Sequence, residues 1–446
     1  MTNSNSKYTS AFALLTSLFF MWGLLTVLVD SLVPRVKDIF ELTYFQAGLA
    51  QFAFFGAFGL VCIPAGAFLN RIGYKKGIMV GLGIMGAGCL LFLPAASMRL
   101  FSLFLLGYFV LASGIAILQV AANPYVTVLG DPKNASSRLN LSQAFNSLGT
   151  TLAPHLGALF ILSDHILKED EIKALDEGAR QAYFSLEAST IQMPFLILAG
   201  ALLLLAGIVL MVGLPKVLNT AATSNYGKAF KNKKLSLGAI GIFLYVGAEV
   251  AVGTYAVNYF LEMNMVEAIQ QNELMSWIAS LYHSDLSTTE PKAILASFVT
   301  LYWGGAMLGR FIGSYLTNQF RPNKVLSVFA FLAIAFTATT MLTNGFLAFW
   351  SVLAIGFFNS IMFPTIFSIA IEDLGDLKPQ GSGVLCTAIA GGAFIPPLFG
   401  FITDISSFKI AFTLILLCYG YIWFYGKLSS KKSPAPDSTS INPSQQ

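Results

Sequence analysis

The run from Leu235 to Leu261 constrains the fold more than any other stretch of the chain. It is apolar over the length of a bilayer crossing and carries one carboxylate, Glu249, near its middle. A helix needs about 20 apolar residues to cross the hydrocarbon. A charge at its centre costs roughly 2.5 to 3.5 kcal/mol on insertion scales, so we expect Glu249 to face a polar cavity, pair with a cation or carry a proton. Each option requires other helices around it.

The composition is that of an integral membrane protein. Of 446 residues, 56% are hydrophobic and 11% are charged, against roughly 25% charged residues in soluble domains. The basic residues are spread over short loops, so the net charge of +4 does not indicate a nucleic-acid-binding surface. The cysteines and histidines are scattered, which predicts neither a metal site nor a disulfide framework.

Twelve apolar runs of spanning length predict an all-α membrane protein with twelve transmembrane helices. They lie at about 11–33, 45–69, 77–97, 101–129, 139–162, 192–214, 235–261, 293–319, 325–343, 346–371, 381–403 and 408–426. A lysine-rich linker separates the first six from the last six. The predicted domains are a six-helix bundle at 1–214, a cytoplasmic linker at 215–234, a second six-helix bundle at 235–427 and a disordered cytoplasmic tail at 428–446.

The loops predict the orientation. Lys and Arg are more frequent on the side that carries both termini and the linker, which places that side in the cytoplasm. The first apolar run has no small-residue cleavage site, so we interpret it as a retained helix. Two longer loops, 163–191 and 262–292, are expected outside, and Trp277 and Tyr282 suit the second to a short interfacial helix.

The two halves repeat each other weakly. The fourth and fifth predicted helices contain Pro124 and Pro154, the tenth and eleventh contain Pro364 and Pro396, and each pair flanks a Gly-Asp turn. Short basic loops follow the second and eighth helices. Doubled six-helix units are typical of transporters built from parallel repeats, whose substrate binds between the halves near the bilayer midplane.

Several motifs resemble a known family. The loop NRIGYKKG, which begins at Asn70, is similar to the basic loop between helices 2 and 3 of the major facilitator superfamily, with Asn70 in place of the usual aspartate. The segments LQVAANPYVTVLG and RLNLSQAFNSLGTTLAP resemble the fucose/galactose/glucose:cation symporter family, and the similarity extends over nearly the whole chain. It is greatest toward the bacterial glucose/galactose transporter branch. The resemblance implies the major facilitator fold and sugar:cation symport.

Two carboxylates are candidates for coupling to a cation. Asp30 lies about eight residues, or ~12 Å, beyond the centre of the first apolar run, where an aspartate satisfied by water is the alternative. In fucose permeases an aspartate at the matching place is proposed to take part in proton coupling, so the resemblance favours this role. Fucose permeases carry a glutamate at the position of Gln119 and tend to have a neutral amide at that of Glu249. We therefore interpret the acidic group as relocated from the fourth helix to the seventh.

Four amides are candidates for sugar contacts: Gln119, Asn123, Gln143 and Asn146. Gln143 and Asn146 are three residues apart and share one helix face. Amides donate and accept hydrogen bonds, which suits the hydroxyls of a hexose, and the resemblance places sugar contacts here. Hydrogen bonding between helices is the alternative for the glutamines and Asn146, and filling the backbone gap opened by Pro124 is the alternative for Asn123.

The first, eighth and tenth helices add three further candidates for sugar contacts: Trp22, Trp303 and Asn359. An aromatic face suits a pyranose ring, although packing is the alternative. Arg310, in the eighth helix, is expected to neutralise Glu249 or to form a gate with Glu372 or Asp373 at the cytoplasmic end of the tenth helix.

These features predict a monomeric secondary active transporter of the bacterial inner membrane. It would import glucose or galactose with H⁺ or Na⁺ by alternating access, with no cofactor and no enzymatic activity. A cation falling through 100 mV releases ~2.3 kcal/mol, enough for a roughly fifty-fold gradient of a neutral sugar. The alternatives are a permease for fucose or another sugar such as an amino sugar, a drug or metabolite antiporter of the same fold, and a non-transporting sensor.

Overall fold

The computed structural model describes residues 2–30, 44–98, 100–161, 175–218, 225–283 and 285–429. Within these ranges the chain forms helices and the turns that join them, with no strand. A helix satisfies its backbone hydrogen bonds within its own segment, so a single helix can cross the bilayer. The described residues contain ten helices long and apolar enough to cross a membrane.

Twelve helical segments occupy the places where the sequence predicts spanning helices. The long helix Tyr44–Met98 consists of two limbs that meet at Gly73, whose φ of 80° and ψ of 165° leave the helical region and favour glycine. The segments are α1 (Thr2–Asp30), α2 (44–72), α3 (74–98), α4 (Phe101–Val128), α5 (Ala135–Ile161), α6 (Glu177–Met211), α7 (Lys233–Glu262), α8 (Pro291–Gln319), α9 (Pro322–Leu342), α10 (Gly345–Ile371), α11 (Gly375–Ile405) and α12 (Phe408–Leu428). That all twelve cross the membrane stays a prediction.

The two predicted external loops contain more helix than expected. Asp176 caps α6 by accepting a hydrogen bond from the backbone of Ala179 at 2.7 Å, so α6 begins inside the predicted loop 163–191. Residues 162–174 of that loop lie outside the described residues. The second loop holds two short helices, Met265–Gln271 and Glu273–Ser280, and the latter exposes Trp277.

The linker is partly helical and packs on the bundle. The linker helix Tyr226–Lys231 buries Ala229, and the Tyr226 hydroxyl donates a hydrogen bond to the carbonyl of Ile63 in α2. Residues 219–224, and the predicted tail from residue 430 onward, lie outside the described residues. We call the end of the bundle that carries this helix the linker face, and the opposite end the far face.

Small residues let the helices approach closely within each half. A Cβ atom added at Gly88 in α3 would lie 2.5 Å from the backbone nitrogen of Leu111 in α4, and one at Gly149 in α5 would lie 2.2 Å from the carbonyl oxygen of Phe20 in α1. Close backbone approach of this kind stabilises helix pairs in membranes, where burial of apolar side chains adds little.

The two halves also meet through glycines, at the crossing of α2 and α11. A Cβ atom at Gly66 would lie 2.6 Å from the carbonyl oxygen of Pro379, and one at Gly383 would lie 2.7 Å from that of Cys62. The thiols of Cys62 and Cys386 lie side by side in this crossing, and both are fully buried.

Hydrogen bonds join the halves at other crossings on the same side of the bundle. The hydroxyls of Ser137 in α5 and Ser314 in α8 are 3.2 Å apart, and Asn140 donates to Thr365 in α10 at 3.2 Å. Ser382 in α11 donates to a carbonyl oxygen of α4 at 2.8 Å. These contacts lie between the middle of the bundle and the linker face, so the interface between the halves is closed toward the linker face.

Candidate functional site

An ion pair lies near the middle of the bundle. The Arg310 guanidinium in α8 contacts Glu249 Oε1 in α7 at 3.5 Å, and the two side chains are only 14% and 13% exposed. Tyr245 precedes Glu249 by one helical turn, which puts it on the same face, and its hydroxyl donates to the same oxygen at 2.7 Å. A buried carboxylate is tolerated when it is paired and hydrogen-bonded in this way.

Arg310 also joins the two halves. Its Nε donates to the carbonyl oxygen of Ser360 in α10 at 3.1 Å, and its Nη1 donates to the hydroxyl of Ser147 in α5. The guanidinium therefore has partners on α7, α10 and α5, of which α5 belongs to the N-terminal half. Its planar fork of five N–H donors suits several acceptors at once.

Asn359 is connected to the backbone of Glu249 through Tyr302. It is fully buried, and its amide nitrogen donates to the hydroxyls of Tyr302 at 2.8 Å and Tyr419 at 3.4 Å. The Tyr302 hydroxyl in turn donates to the backbone carbonyl of Glu249 at 3.2 Å. The amide nitrogen of Asn359 is thus paired with protein groups, whereas its Oδ1 is unpaired among the described residues, and the side chain does not reach open space.

The amides of α4 and α5 divide into two sets. Gln143 donates to Asn123 Oδ1 at 3.3 Å, and Asn123 is fully buried with its Nδ2 unpaired among the described residues. Asn146 instead donates to the carbonyl of Phe19 in α1 at 2.9 Å, so its nitrogen links two helices of one half. Gln119 is half-buried.

The two predicted tryptophans differ in exposure. Trp22 is 6% exposed and packs on Phe19, with ring centroids 5.2 Å apart. Trp303 is 44% exposed and lies two turns from Arg310 on the same face of α8, toward the far face. Its ring covers Gly253, where a Cβ atom would lie 2.7 Å from the indole. Trp303 is therefore the tryptophan available to a ligand near the ion pair.

The predicted gate between Arg310 and Glu372 is not formed. Glu372 lies 3.8 Å from Lys234 Nζ, and the neighbouring Asp373 lies 2.6 Å from the same nitrogen. Glu372 follows Ser360, the α10 partner of Arg310, by enough residues to lie ~18 Å further along the helix. The arginine side chain does not span that distance. This ion-pair cluster therefore joins α7 to α10 within the C-terminal half.

Two further points concern the predicted coupling and metal groups. α1 ends at Asp30, but the Asp30 side chain lies outside the described residues. Among the described residues, no cluster of three or more His, Cys, Asp or Glu side chains has metal-binding geometry.

Sequence reasoning missed Tyr245 and Ser147. Tyr245 precedes Glu249 by four residues and Ser147 follows Gln143 by four, so each shares a helix face with a candidate that was recognised. That spacing was the available signal, although it does not tell which neighbouring helix a hydroxyl meets.

Comparison with known proteins identifies the family. A family model described as Major Facilitator Superfamily matches residues 10–397. The chain belongs to the major facilitator superfamily. Its fold is accordingly the all-α membrane fold of that superfamily, as predicted.

Relatives within the superfamily match nearly the whole chain. A protein of Brucella abortus named glucose/galactose transporter is 46% identical over 433 residues, which cover 96% of each chain. The L-fucose-proton symporter of Escherichia coli is 31% identical and covers 95% of this chain and 94% of its own. The crystal structure of the superfamily transporter FucP in the outward conformation superposes with a TM-score of 0.84 at 30% identity, covering 96% of this chain and 100% of that one.

Proposed function

We propose that this protein is a transporter that carries glucose or galactose into a bacterial cell together with a cation. The relatives that span nearly the full chain are named as a glucose/galactose transporter and a proton-coupled fucose symporter, not as enzymes. The observation that carries the proposal is the buried Glu249–Arg310 pair, which contacts the N-terminal half through Ser147, one helical turn from Gln143 on α5. A carboxylate at that depth has a cost that a purely structural helix avoids.

Gln119, Gln143 and Trp303 form the sugar site in this proposal. The glutamine amides donate and accept hydrogen bonds to sugar hydroxyls, and the exposed indole covers the apolar face of the ring. The unpaired Nδ2 of Asn123 gives a further buried donor beside Gln143. Asn146 and Asn359 position helices in this proposal, because the amide nitrogen of each donates to protein groups.

The cation acts at Glu249, and we propose a proton. Sodium needs several oxygen ligands at short distances, whereas the Arg310 guanidinium already lies 3.5 Å from the carboxylate and would repel a metal ion. A proton needs no ligand set. Neutralising Glu249 when sugar is bound then lets the loaded transporter change between the states that are open to opposite sides of the membrane. Asp30 is the second candidate for the same role.

The linker face is the cytoplasmic face in this proposal. Lysine and arginine are more frequent in the loops on that side, which places both termini and the linker inside the cell. In this orientation the closed linker face blocks access from the cytoplasm, and sugar would enter from outside through the far face. The site lies within one chain, so a monomer is sufficient in a bacterial inner membrane.

Uptake into proteoliposomes tests the proposal. Radiolabelled glucose, galactose and L-fucose are each offered with an imposed proton gradient or, separately, a sodium gradient. We expect accumulation driven by the proton gradient, lost in Glu249→Gln and kept in Glu262→Gln, which changes the exposed carboxylate at the far end of the same helix. Equal accumulation by Glu249→Gln would end the coupling role of Glu249. Accumulation of L-fucose alone would assign the protein to the alternative sugar.

A further inference from the structure

Ser147 lies where the two halves share one charged group. Its side chain is 4% exposed, accepts a hydrogen bond from Arg310 Nη1 and donates to the carbonyl oxygen of Gln143 at 3.1 Å. The side-chain amide of Gln143 separately donates to Asn123 in α4. The Ser147 hydroxyl therefore links the α5 backbone at Gln143 to the ion pair of the C-terminal half.

The acceptors around Arg310 make Ser147 sensitive to the charge of Glu249. Two of the acceptors, Glu249 and the Ser360 carbonyl, belong to the C-terminal half, and Ser147 is a neutral acceptor from the other half. A hydrogen bond to an ionised carboxylate is about twice as strong as one to a neutral oxygen. When Glu249 is neutralised, the Arg310 guanidinium loses its strongest acceptor. Its hydrogen bond to the Ser147 hydroxyl, in the opposite half, then becomes stronger.

We propose that Ser147 is a positioning residue that converts the charge state of the Glu249–Arg310 pair into a change in the contact between the halves. The inference rests on the proposed function, because it assigns the step by which cation binding at Glu249 affects the open side. The contact lies where α5 and α8 cross, on the far-face side of the closed Ser137–Ser314 contact.

The neighbouring titratable groups do not supply the same signal. The groups that face the pair are the phenols of Tyr245 on α7, Tyr302 on α8 and Tyr419 on α12. Phenols keep their protons near neutral pH, so Glu249 is the group there whose charge changes. Asp30 on α1, whose side chain lies outside the described residues, is identical in all the variants below and does not affect the differences between them.

Alkylation of the native cysteines at the α2–α11 crossing measures opening of the linker face without any transport. Cys62 and Cys386 are fully buried there, so a maleimide reaches them when the halves part, and peptide mass spectrometry assigns the modified residue. The thiolate is the reactive form of cysteine and its fraction rises with pH, so each rate is divided by that of the same cysteines in the unfolded protein at the same pH. This normalised rate is measured between about pH 5 and pH 8 for wild type, Ser147→Ala, Ser147→Thr and Ser137→Ala. In wild type we expect the rate to change at least about fivefold across this range, the lower end of typical coupling between sites.

Ser147→Ala should make the normalised alkylation rate independent of pH, and Ser147→Thr should keep the dependence because it keeps the hydroxyl. Ser137→Ala removes another contact between the halves, so it should raise the rate equally at every pH. A Ser147→Ala rate with the wild-type pH dependence would overturn the proposal, as would an equal loss of dependence in Ser137→Ala. A pH-independent wild-type rate would also overturn it.

Transport then separates this inference from the proposed function. In proteoliposomes, Ser147→Ala should keep sugar exchange while accumulation driven by a proton gradient falls at least about tenfold, the equivalent of one hydrogen bond to a charged group. Loss of exchange and accumulation together would contradict a coupling role. If wild type transports neither sugar, the proposed function fails, and the alkylation experiment still decides whether Ser147 links the charge to the interface.

Discussion

Glu249 occupies the middle of an apolar helix because two side chains offset the cost of its charge and a third holds its backbone. Arg310 supplies the opposite charge, the Tyr245 hydroxyl donates to the carboxylate, and the Tyr302 hydroxyl holds the backbone behind it. The sequence was sufficient to single out Glu249 and to propose Arg310 as its partner, since both are charged residues inside apolar runs.

The ion pair predicts a particular pattern of stability. Arg310→Ala leaves Glu249 buried and unpaired, so we expect a loss of about 3–5 kcal/mol in the free energy of unfolding. The double variant Arg310→Ala/Glu249→Gln should recover most of that loss, because no buried charge is left. Thermal and chemical unfolding in detergent measure both. A double variant no more stable than Arg310→Ala would show that packing, and not the unpaired charge, sets the cost.

For Asn359→Ala we expect a smaller loss in the free energy of unfolding, and Ser351→Ala is a matched control. Asn359→Ala leaves the buried hydroxyls of Tyr302 and Tyr419 without their amide donor, at a cost of about 1–3 kcal/mol. Ser351→Ala on the same helix removes a buried hydroxyl that bonds only to its own helix, at Leu347, and should cost less. Unfolding midpoints compare the two. An equal or smaller cost for Asn359→Ala would argue that this amide is available to sugar instead.

The rest of the site was beyond sequence reasoning for a physical reason. α7, α8 and α10 carry apolar residues on most of their surface, so periodicity does not fix which side chains of neighbouring helices meet. Ser147 and Tyr245 became part of the site only once the rotation of each helix was known. For the same reason Trp22 and Trp303 looked equivalent, although the structure packs Trp22 on Phe19 and leaves Trp303 exposed.

At the scale of elements, apolar length predicted where the helices lie and missed where they extend beyond the apolar part. The start of α6 at Glu177 lies in a polar stretch, and its signal was the capping residue Asp176. The helical limbs on either side of Gly73 likewise continue into the basic NRIGYKKG loop, where a longer connection was expected. Polar helix ends outside the bilayer need capping analysis, which hydropathy alone does not supply.

The α2–α11 crossing predicts that Gly66 is needed to close the linker face. In Gly66→Ala the new Cβ would lie 2.6 Å from the Pro379 carbonyl oxygen, so the two helices must part. We expect faster alkylation of Cys386 and slower sugar uptake. Gly56→Ala on the same helix is the control, because a Cβ there meets no atom within 4 Å. Slow alkylation in both variants would show that the crossing absorbs the methyl group without opening.

At the scale of the whole molecule, the fold followed from the number and spacing of the apolar runs, whereas the conformational state did not. Inward-open and outward-open states of such a transporter bury the same helices in the same bilayer, so one hydropathy pattern fits both. Closure toward the linker face became visible only through contacts between the halves, such as Ser137 with Ser314 and Gly66 with Pro379.

Ligand binding predicts a change in the stability of the whole protein. Glucose or galactose at about 100 times its Kd should raise the free energy of unfolding by about 2.7 kcal/mol, because the sugar binds only the folded state. Thermal unfolding in detergent measures the shift, and mannitol at the same concentration is the control for osmolyte effects. A shift with mannitol as large as with the hexoses would mean that no specific site was occupied.

The linker joins the two halves covalently, and its helix also packs on the crossing of α2 and α11. Tyr226 bonds to the carbonyl of Ile63, and its hydroxyl lies within 2.8 Å of where a Cβ at Gly66 would be, so the connecting segment is seated on the very crossing that has to open. If the polypeptide were cut between residues 218 and 225 and the pieces produced separately, the C-terminal fragment would retain this tyrosine and could still dock on α2. Fragments divided after residue 234 would lose that docking, and reassembly would then depend on the remaining helix contacts alone.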